Sequence, residues 1–450
     1  MMSHQMREFN LILIALDTLR ADHLGVYGYK KETSPFLNEF SKRCTVFENF
    51  YAPAIPTQPS YTTVFTGQYS LTHRVITHGG KEVINPESPW LPNILLQKDY
   101  LTCAVDNLAS MKSWFLKGYE FYINPSVSKK YFQMIKAEDV TRRAFEWLEK
   151  YYNEKFYLFI HYWDPHTPYI PPENLIKLFY PEGKNPFSEE DKRMEEFYKT
   201  PHGKSWSETW LKKDGKLIRD PEYVEALYDA EIRYLDGWLE KFFNFLEDKG
   251  ILEKSIIVIF SDHGEVMYHH VGFFDHHGLY EETIHCPLMI YVPGVKGKRV
   301  HFLVKHVDIA PTILDLLDIK VDEKMEGKSL KRYIEGSLSE PIYDELITQE
   351  CTYQAKWAIR TDEYKLILSR RKYDIHGLPP VELYDLKNDP MEQKNIAGER
   401  KDKVNELKEK LENWIETMLK KNNLKEDPLK KTTPPFSKNW RKFVNRYGYW

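Results

Sequence analysis

A chain of 450 residues with 42 % hydrophobic and 29 % charged residues can build a large core, which excludes disordered, collagen-like and low-complexity architectures. Lys and Arg number 63 against 67 Asp and Glu, and the net charge of −4 at pH 7 lacks the basic excess of a dedicated nucleic-acid binder. The length allows one large α/β domain and a smaller partner. Cys44, Cys103, Cys286 and Cys351 form no CxxC pair, so neither a thiolate zinc site nor a dithiol redox site is written here. The apolar run Leu11–Leu16 is too short to span a bilayer, and Met1–Asn10 has no signal-peptide core. The expectation is a cytoplasmic protein with no membrane partner.

In chain order, Asn10–Leu16, Leu101–Val105, Phe156–His161, Ser255–Phe260 and Pro287–Val292 are short apolar runs closed by polar residues, predicted as buried parallel strands. Val224, Leu227, Ile232, Leu235, Leu239, Phe242 and Leu246 keep helical spacing until Gly250. Strands alternating with helices predict a mostly parallel sheet between helical layers. The Pro-, Lys- and aromatic-rich stretch 168–221 reads as an inserted, largely surface segment or lid. From Pro341, Lys356–Ser369 and Val381–Leu386 read as antiparallel strands and Glu399–Lys421 as an amphipathic helix. The expected organisation is a catalytic domain 1–335, a C-terminal α+β subdomain 336–422, and a basic, aromatic tail 423–450 that packs back on the body.

Ligands of open α/β sheets sit beyond the carboxyl ends of the strands. Three runs empty titratable groups there: Asp17, then Asp164 with His166, then Asp262 with His263. Two carboxylates and an imidazole suit Mn²⁺ or Zn²⁺ better than Mg²⁺ or Ca²⁺. Thr57, just before Gln58-Pro59, reads locally as a helix N-cap. The functional reading of the same position is a hydroxyl at a helix N-terminus, where an anion is favoured and a nearby cation could produce an alkoxide.

Asp17-Thr18-Leu19-Arg20-Ala21-Asp22-His23 resembles the opening motif of the sulfatase family in the alkaline-phosphatase superfamily. The resemblance continues through the Thr57 segment, Asp164-Pro165-His166-Thr167-Pro168-Tyr169, Ser261-Asp262-His263-Gly264-Glu265, Leu279-Tyr280-Glu281-Glu282 and Glu382-Leu383-Tyr384-Asp385. It implies an alkaline-phosphatase-like mixed sheet sandwiched by helices. It also implies one divalent metal on Asp17, Thr57, Asp262 and His263, with Thr57 as nucleophile. His166, His276 and His78 would then line the pocket for a small anionic ester, with Tyr61 beside them. His276 stands where the family places a lysine. With an imidazole of ordinary pKa there, activity is expected to fall above roughly pH 7.

The sequence departs from the formylglycine sulfatases, whose nucleophile motif starts with Cys or Ser, then x-Pro-x-Arg. Here it reads Thr57-Gln58-Pro59-Ser60-Tyr61. Threonine is a secondary alcohol and would oxidise to a ketone rather than an aldehyde. The leading expectation is therefore hydrolysis of a phosphodiester or phosphonate monoester through a covalent Thr57 ester. A sulfatase using unmodified Thr57, and a catalytically silent binding protein, are the alternatives. His269 and His270 are read mainly as polar loop residues, and His23 and His73 as residues that orient backbone. His301, His306 and His376 fall in no motif.

Overall fold

The structure, a computed structural model, describes residues 8–126, 135–270, 274–371 and 377–436. Its strands are β1 (Asn10–Leu16), β2 (Thr45–Tyr51), β3 (Ala54–Ile55), β4 (Leu101–Val105), β5 (Phe121–Ile123), β6 (Phe156–Tyr162), β7 (Lys212–Lys213) and β8 (Lys216–Leu217). They continue with β9 (Ser255–Phe260), β10 (His285–Tyr291), β11 (Lys298–Lys305), β12 (Leu346–Glu350), β13 (Lys356–Arg360), β14 (Tyr364–Ser369) and β15 (Val381–Asp385). The large sheet has the order β11-β2-β10-β9-β1-β6-β4-β5, and a smaller one β15-β14-β13-β12-β3.

β1 shows why the centre of this sheet reads as a continuous apolar run. Leu11, Leu13 and Ala15 enter one core cluster, and Ile12, Ile14 and Leu16 enter the other. A strand buried on both faces has no polar side to spare, so the polar residue that follows its apolar run, Asp17, marks its end. β9, β1, β6 and β4 are mutually parallel neighbours, and their carboxyl ends form one edge. β10 is antiparallel to both β9 and β2, which corrects the parallel assignment of the Pro287–Val292 run. An apolar run states burial, not direction.

The helix Pro221–Asp248 covers one face through Val224, Ile232, Leu235 and Leu239. The 168–221 stretch is more deeply packed than its composition predicts. Met194, Phe197, Trp206, Leu211 and Ile218 are buried in the same core, with the Phe197 ring centroid 6.1 Å from that of Phe274. The smaller sheet packs against the helix Lys401–Lys421 through Leu407, Leu411, Ile415 and Met418. Of the C-terminal tail, the described part folds back: Phe436 is buried and its N–H donates to the Thr352 carbonyl at 3.0 Å. The remainder of the tail, and His376, lie outside the described residues. Among the described residues, no helix is long and apolar enough to cross a membrane.

Candidate active site

The edge formed by β1 and β9 brings Asp17, Asp262 and His263 together, with one ligand atom from each within 4.8 Å of the others. The Ser-Asp-His-Gly turn can do this because Gly264 lies against the Glu282 carbonyl. A Cβ there would sit 2.0 Å from that oxygen, so any side chain would push the turn off its neighbour.

Thr57 is the first residue of the helix Thr57–Thr66, and its hydroxyl turns to His263 instead of to the helix's own N–H groups. The N-cap position belongs to Pro56, which corrects the local reading of Thr57 as a cap. Thr57 is buried, and its Oγ1 lies 3.3 Å from His263 Nε2. The helix is pinned to the metal-side turn by Ser60, whose hydroxyl donates to the Asp262 carbonyl at 2.7 Å. His306, which no motif singled out, meets Ser60 Oγ through Nδ1 at 3.0 Å and backs that contact.

Several oxygen and nitrogen atoms converge in this buried group. Asp17 Oδ1 and Asp262 Oδ2 are buried with no hydrogen-bond partner. His263 Nδ1 donates to the Gly264 carbonyl at 2.9 Å, which leaves the lone pair on Nε2, 3.2 Å from Asp262 Oδ2. Burial, reinforced by the charge of His276, holds His263 down at about 3, so it is neutral. Burial and the Asp17 carboxylate push Asp262 well above the usual carboxylate range. Two orphaned carboxylate oxygens beside a neutral imidazole nitrogen in one buried group are what a divalent cation would satisfy, and the donor set fits one.

His166 and His276 adjoin this group, with ring centroids 4.9 Å apart, and His276 is 5.1 Å from His263. Their environments push them in opposite directions. Burial and the charge of His276 lower His166 to about 4, and its Nδ1 donates to the Thr167 carbonyl at 2.6 Å. At neutral pH His166 therefore keeps its lone pair on Nε2. Burial alone would lower His276 too, but Asp275 and Glu265 outweigh it and lift it to about 9. Its Nδ1 lies 3.2 Å from Asp275 Oδ1 and 3.6 Å from Glu265 Oε1.

This changes the expected pH profile. Loss of the His276 proton removes a donor, so activity falls as pH rises through its pKa. That fall is now expected toward pH 9 instead of near 7. A kcat/KM profile of the wild type against His276→Lys checks it: the lysine variant should hold its activity to higher pH. An unchanged alkaline limb would remove His276 from the proton-donor role.

His78 is buried, with its N–H donating to Thr352 Oγ1 at 2.9 Å, and its pKa is lowered first by burial and then by His276, His263 and His166. Tyr61 is placed differently from a substrate-facing residue. Its ring is fully buried among Phe65, Phe159 and Phe260, edge-on to His161 at 5.1 Å. Asp164 turns away from the metal-binding group toward Lys136, 3.8 Å from its Nζ. His270 is structural: Nδ1 lies 2.5 Å from Glu282 Oε1 and the ring stacks on Tyr280. His269 is exposed beside Tyr268, and His301 is an exposed partner of Glu48. His23 pairs with Asp229 at 2.7 Å, and His73 Nδ1 accepts the Val75 N–H at 3.1 Å. Two buried residues beside the site, His161 and Asp106, were missed, although each stands at the end of a recognised strand.

The family model described as Sulfatase matches residues 9–319. The model described as N-sulphoglucosamine sulphohydrolase, C-terminal, matches residues 269–421. The N-acetylglucosamine-6-O-sulfatase of Bacteroides thetaiotaomicron is 25 % identical over 518 residues, spanning 97 % of this chain and 90 % of the relative. Arylsulfatase K of Gallus gallus is 26 % identical, spanning 86 % of this chain and 79 % of the relative. A protein solved in complex with its substrate D-glucosamine-2-N,6-O-disulfate superposes with a TM-score of 0.74 at 23 % identity, over 94 % of this chain and 100 % of that one. The phosphonate monoester hydrolase of Agrobacterium radiobacter gives 0.73 at 20 % identity, over 91 % and 96 %. At these identities the two structures establish the fold.

Proposed function

The chain belongs to the sulfatase family of ester hydrolases, and we propose that it cleaves a phosphodiester or phosphonate monoester through a covalent ester of Thr57. The observation that carries this reading is the uncapped, buried Thr57 hydroxyl at a helix N-terminus, 3.3 Å from His263 Nε2. Asp17, Thr57, Asp262 and His263 would hold one divalent ion, Mn²⁺ or Zn²⁺ by the mixed oxygen and nitrogen set. Such an ion supplies a Lewis acid that lowers the hydroxyl pKa and neutralises charge on the ester.

The chain's own groups divide the remaining work. The N-terminal end of the helix dipole favours the anion beside Thr57. In the first step the Thr57 hydroxyl gives up its proton to solvent water, Oγ bonds to phosphorus, and the bond to the leaving oxygen breaks. His276, protonated, gives that alkoxide its proton. In the second step water attacks phosphorus as His166 Nε2 takes its proton, the bond to Thr57 Oγ breaks, and Oγ recovers its proton from His276, which solvent has reprotonated. Two titratable groups held apart in pKa are suited to such opposite roles. This assigns His166 a base role beyond the anion contact expected from the resemblance.

Phosphorus is favoured over sulfur by the alcohol itself. A sulfate ester on an ordinary hydroxyl has no aldehyde hydrate to expel it, whereas in-line attack of water can open a phosphate ester. The similarity to relatives named as sulfatases supports the second reading, a sulfuric ester hydrolase using unmodified Thr57. Side-by-side rates on an aryl sulfate, an aryl phosphate, an aryl phosphonate monoester and a bis-aryl phosphate decide between them. The diester or phosphonate is expected to be turned over fastest; sulfate well above every phosphorus substrate overturns the order.

A further inference from the structure

We propose that His161, held from behind by Asp106, is a positioning residue that fixes the Asp17 carboxylate in its metal-binding orientation. The inference rests on the reading of Asp17 as a metal ligand.

Four parallel neighbours, β9, β1, β6 and β4, deliver Asp262, Asp17, His161 and Asp106 side by side along one edge. Asp17 Oδ2 lies 2.8 Å from His161 Nε2, and Asp106 Oδ1 lies 2.8 Å from His161 Nδ1. All three side chains are buried. Asp106 is itself anchored: its Oδ2 accepts the Leu108 N–H at 2.9 Å and the Tyr122 hydroxyl at 2.5 Å. The imidazole is also clamped by rings, Trp163 at 4.8 Å and Tyr61 at 5.1 Å.

An aspartate's terminal torsion is broad and roughly two-fold, so an untied carboxylate presents either oxygen. Here one oxygen is taken by His161 and the other, Oδ1, is buried without a partner beside Asp262 and His263. The bond from His161 thus selects which oxygen faces the metal group. Partners of this kind orient ligands and set affinity, and their loss typically costs about 10–100-fold in metal binding. The arrangement also gives Tyr61 a place, its buried ring packing edge-on against the imidazole.

The test uses the full chain, stripped with a chelator and titrated calorimetrically with Mn²⁺ or Zn²⁺, with the metal-free Tm measured in parallel. His161→Asn keeps a polar group near the Asp106 side but withdraws the donor from Asp17. It is expected to weaken metal binding roughly 10–100-fold. His161→Gln places an amide nitrogen near the lost Nε2 and is expected to recover most of that affinity. Asp106→Asn, which loosens the imidazole without removing it, is expected to show an intermediate loss.

Wild-type affinity in both His161→Asn and Asp106→Asn overturns the proposal. So does a His161→Gln loss as large as that of His161→Asn, because the effect would then be one of packing. If His161→Asn fails to fold, the Asp106→Asn and His161→Gln titrations decide the matter alone. Asp262→Ala separates this proposal from the metal reading beneath it. If the wild type binds no metal, or Asp262→Ala binds as the wild type does, the metal site itself is wrong.

Discussion

Thr57→Ala is expected to lower kcat by roughly four orders of magnitude while leaving the fold intact, and Thr57→Ser to retain most of the activity. The size follows from losing the nucleophile outright; what remains comes from anion binding and the surrounding dipoles. The stability half of the expectation comes from the helix. Losing a capping hydroxyl costs about 1 kcal/mol, but Thr57 makes no capping bond, so its hydroxyl should not register in Tm that way. Intact-mass analysis during turnover should find a covalent adduct on the Thr57 peptide of the wild type and none in Thr57→Ala. A lowered Tm with unchanged kcat would return Thr57 to a structural role.

The second large effect separates metal from substrate chemistry. Asp262→Ala should abolish activity and metal binding together, and the rise in Tm that Mn²⁺ or Zn²⁺ gives the wild type should vanish with them. His166→Ala should keep the metal and lose about 10²–10⁴-fold in rate, the span of a general base. Because His166 is assigned to the second step, its loss should also let the Thr57 adduct accumulate. Elemental analysis checks the count, which is expected to be one ion per chain. Two ions, with His166→Ala losing one, would make His166 a ligand and end the base assignment.

Much of the site was legible in the sequence because its signals are local. Asp17 and Asp262-His263 each follow a run too apolar to be anything but a strand buried on both faces, and such runs place their closing residues on the ligand-binding edge. Thr57 was harder. Its position before Gln58-Pro59 predicts a helix start, but a one-residue difference between Ncap and N1 decides whether the hydroxyl caps or stands free, and spacing cannot resolve that. Tyr61 shows what motif proximity cannot tell: it lies beside the Thr57 motif in sequence, yet its ring is buried in the aromatic core, whereas His270, read mainly as a polar loop residue, pairs with Glu282 and stacks on Tyr280.

By itself the sequence determined the fold class, the strands of the candidate site's edge and the residues Asp17, Asp262 and His263 that gather there, since each follows from a short pattern of apolar and polar residues. Tertiary structure alone decided the direction of β10, the burial of Phe197 and Trp206 from the inserted stretch, and the link from Asp17 through His161 to Asp106. It also decided the charges: His166 and His276 are the same side chain, yet burial and the charge of His276 keep the first neutral while Asp275 and Glu265 keep the second protonated. His161 meets Asp106 and Asp17, and His166 meets His276, across tens to more than a hundred residues, and even Asp275, next to His276 in sequence, faces its ring only in the folded turn, so no local pattern of apolar and polar residues carries that information.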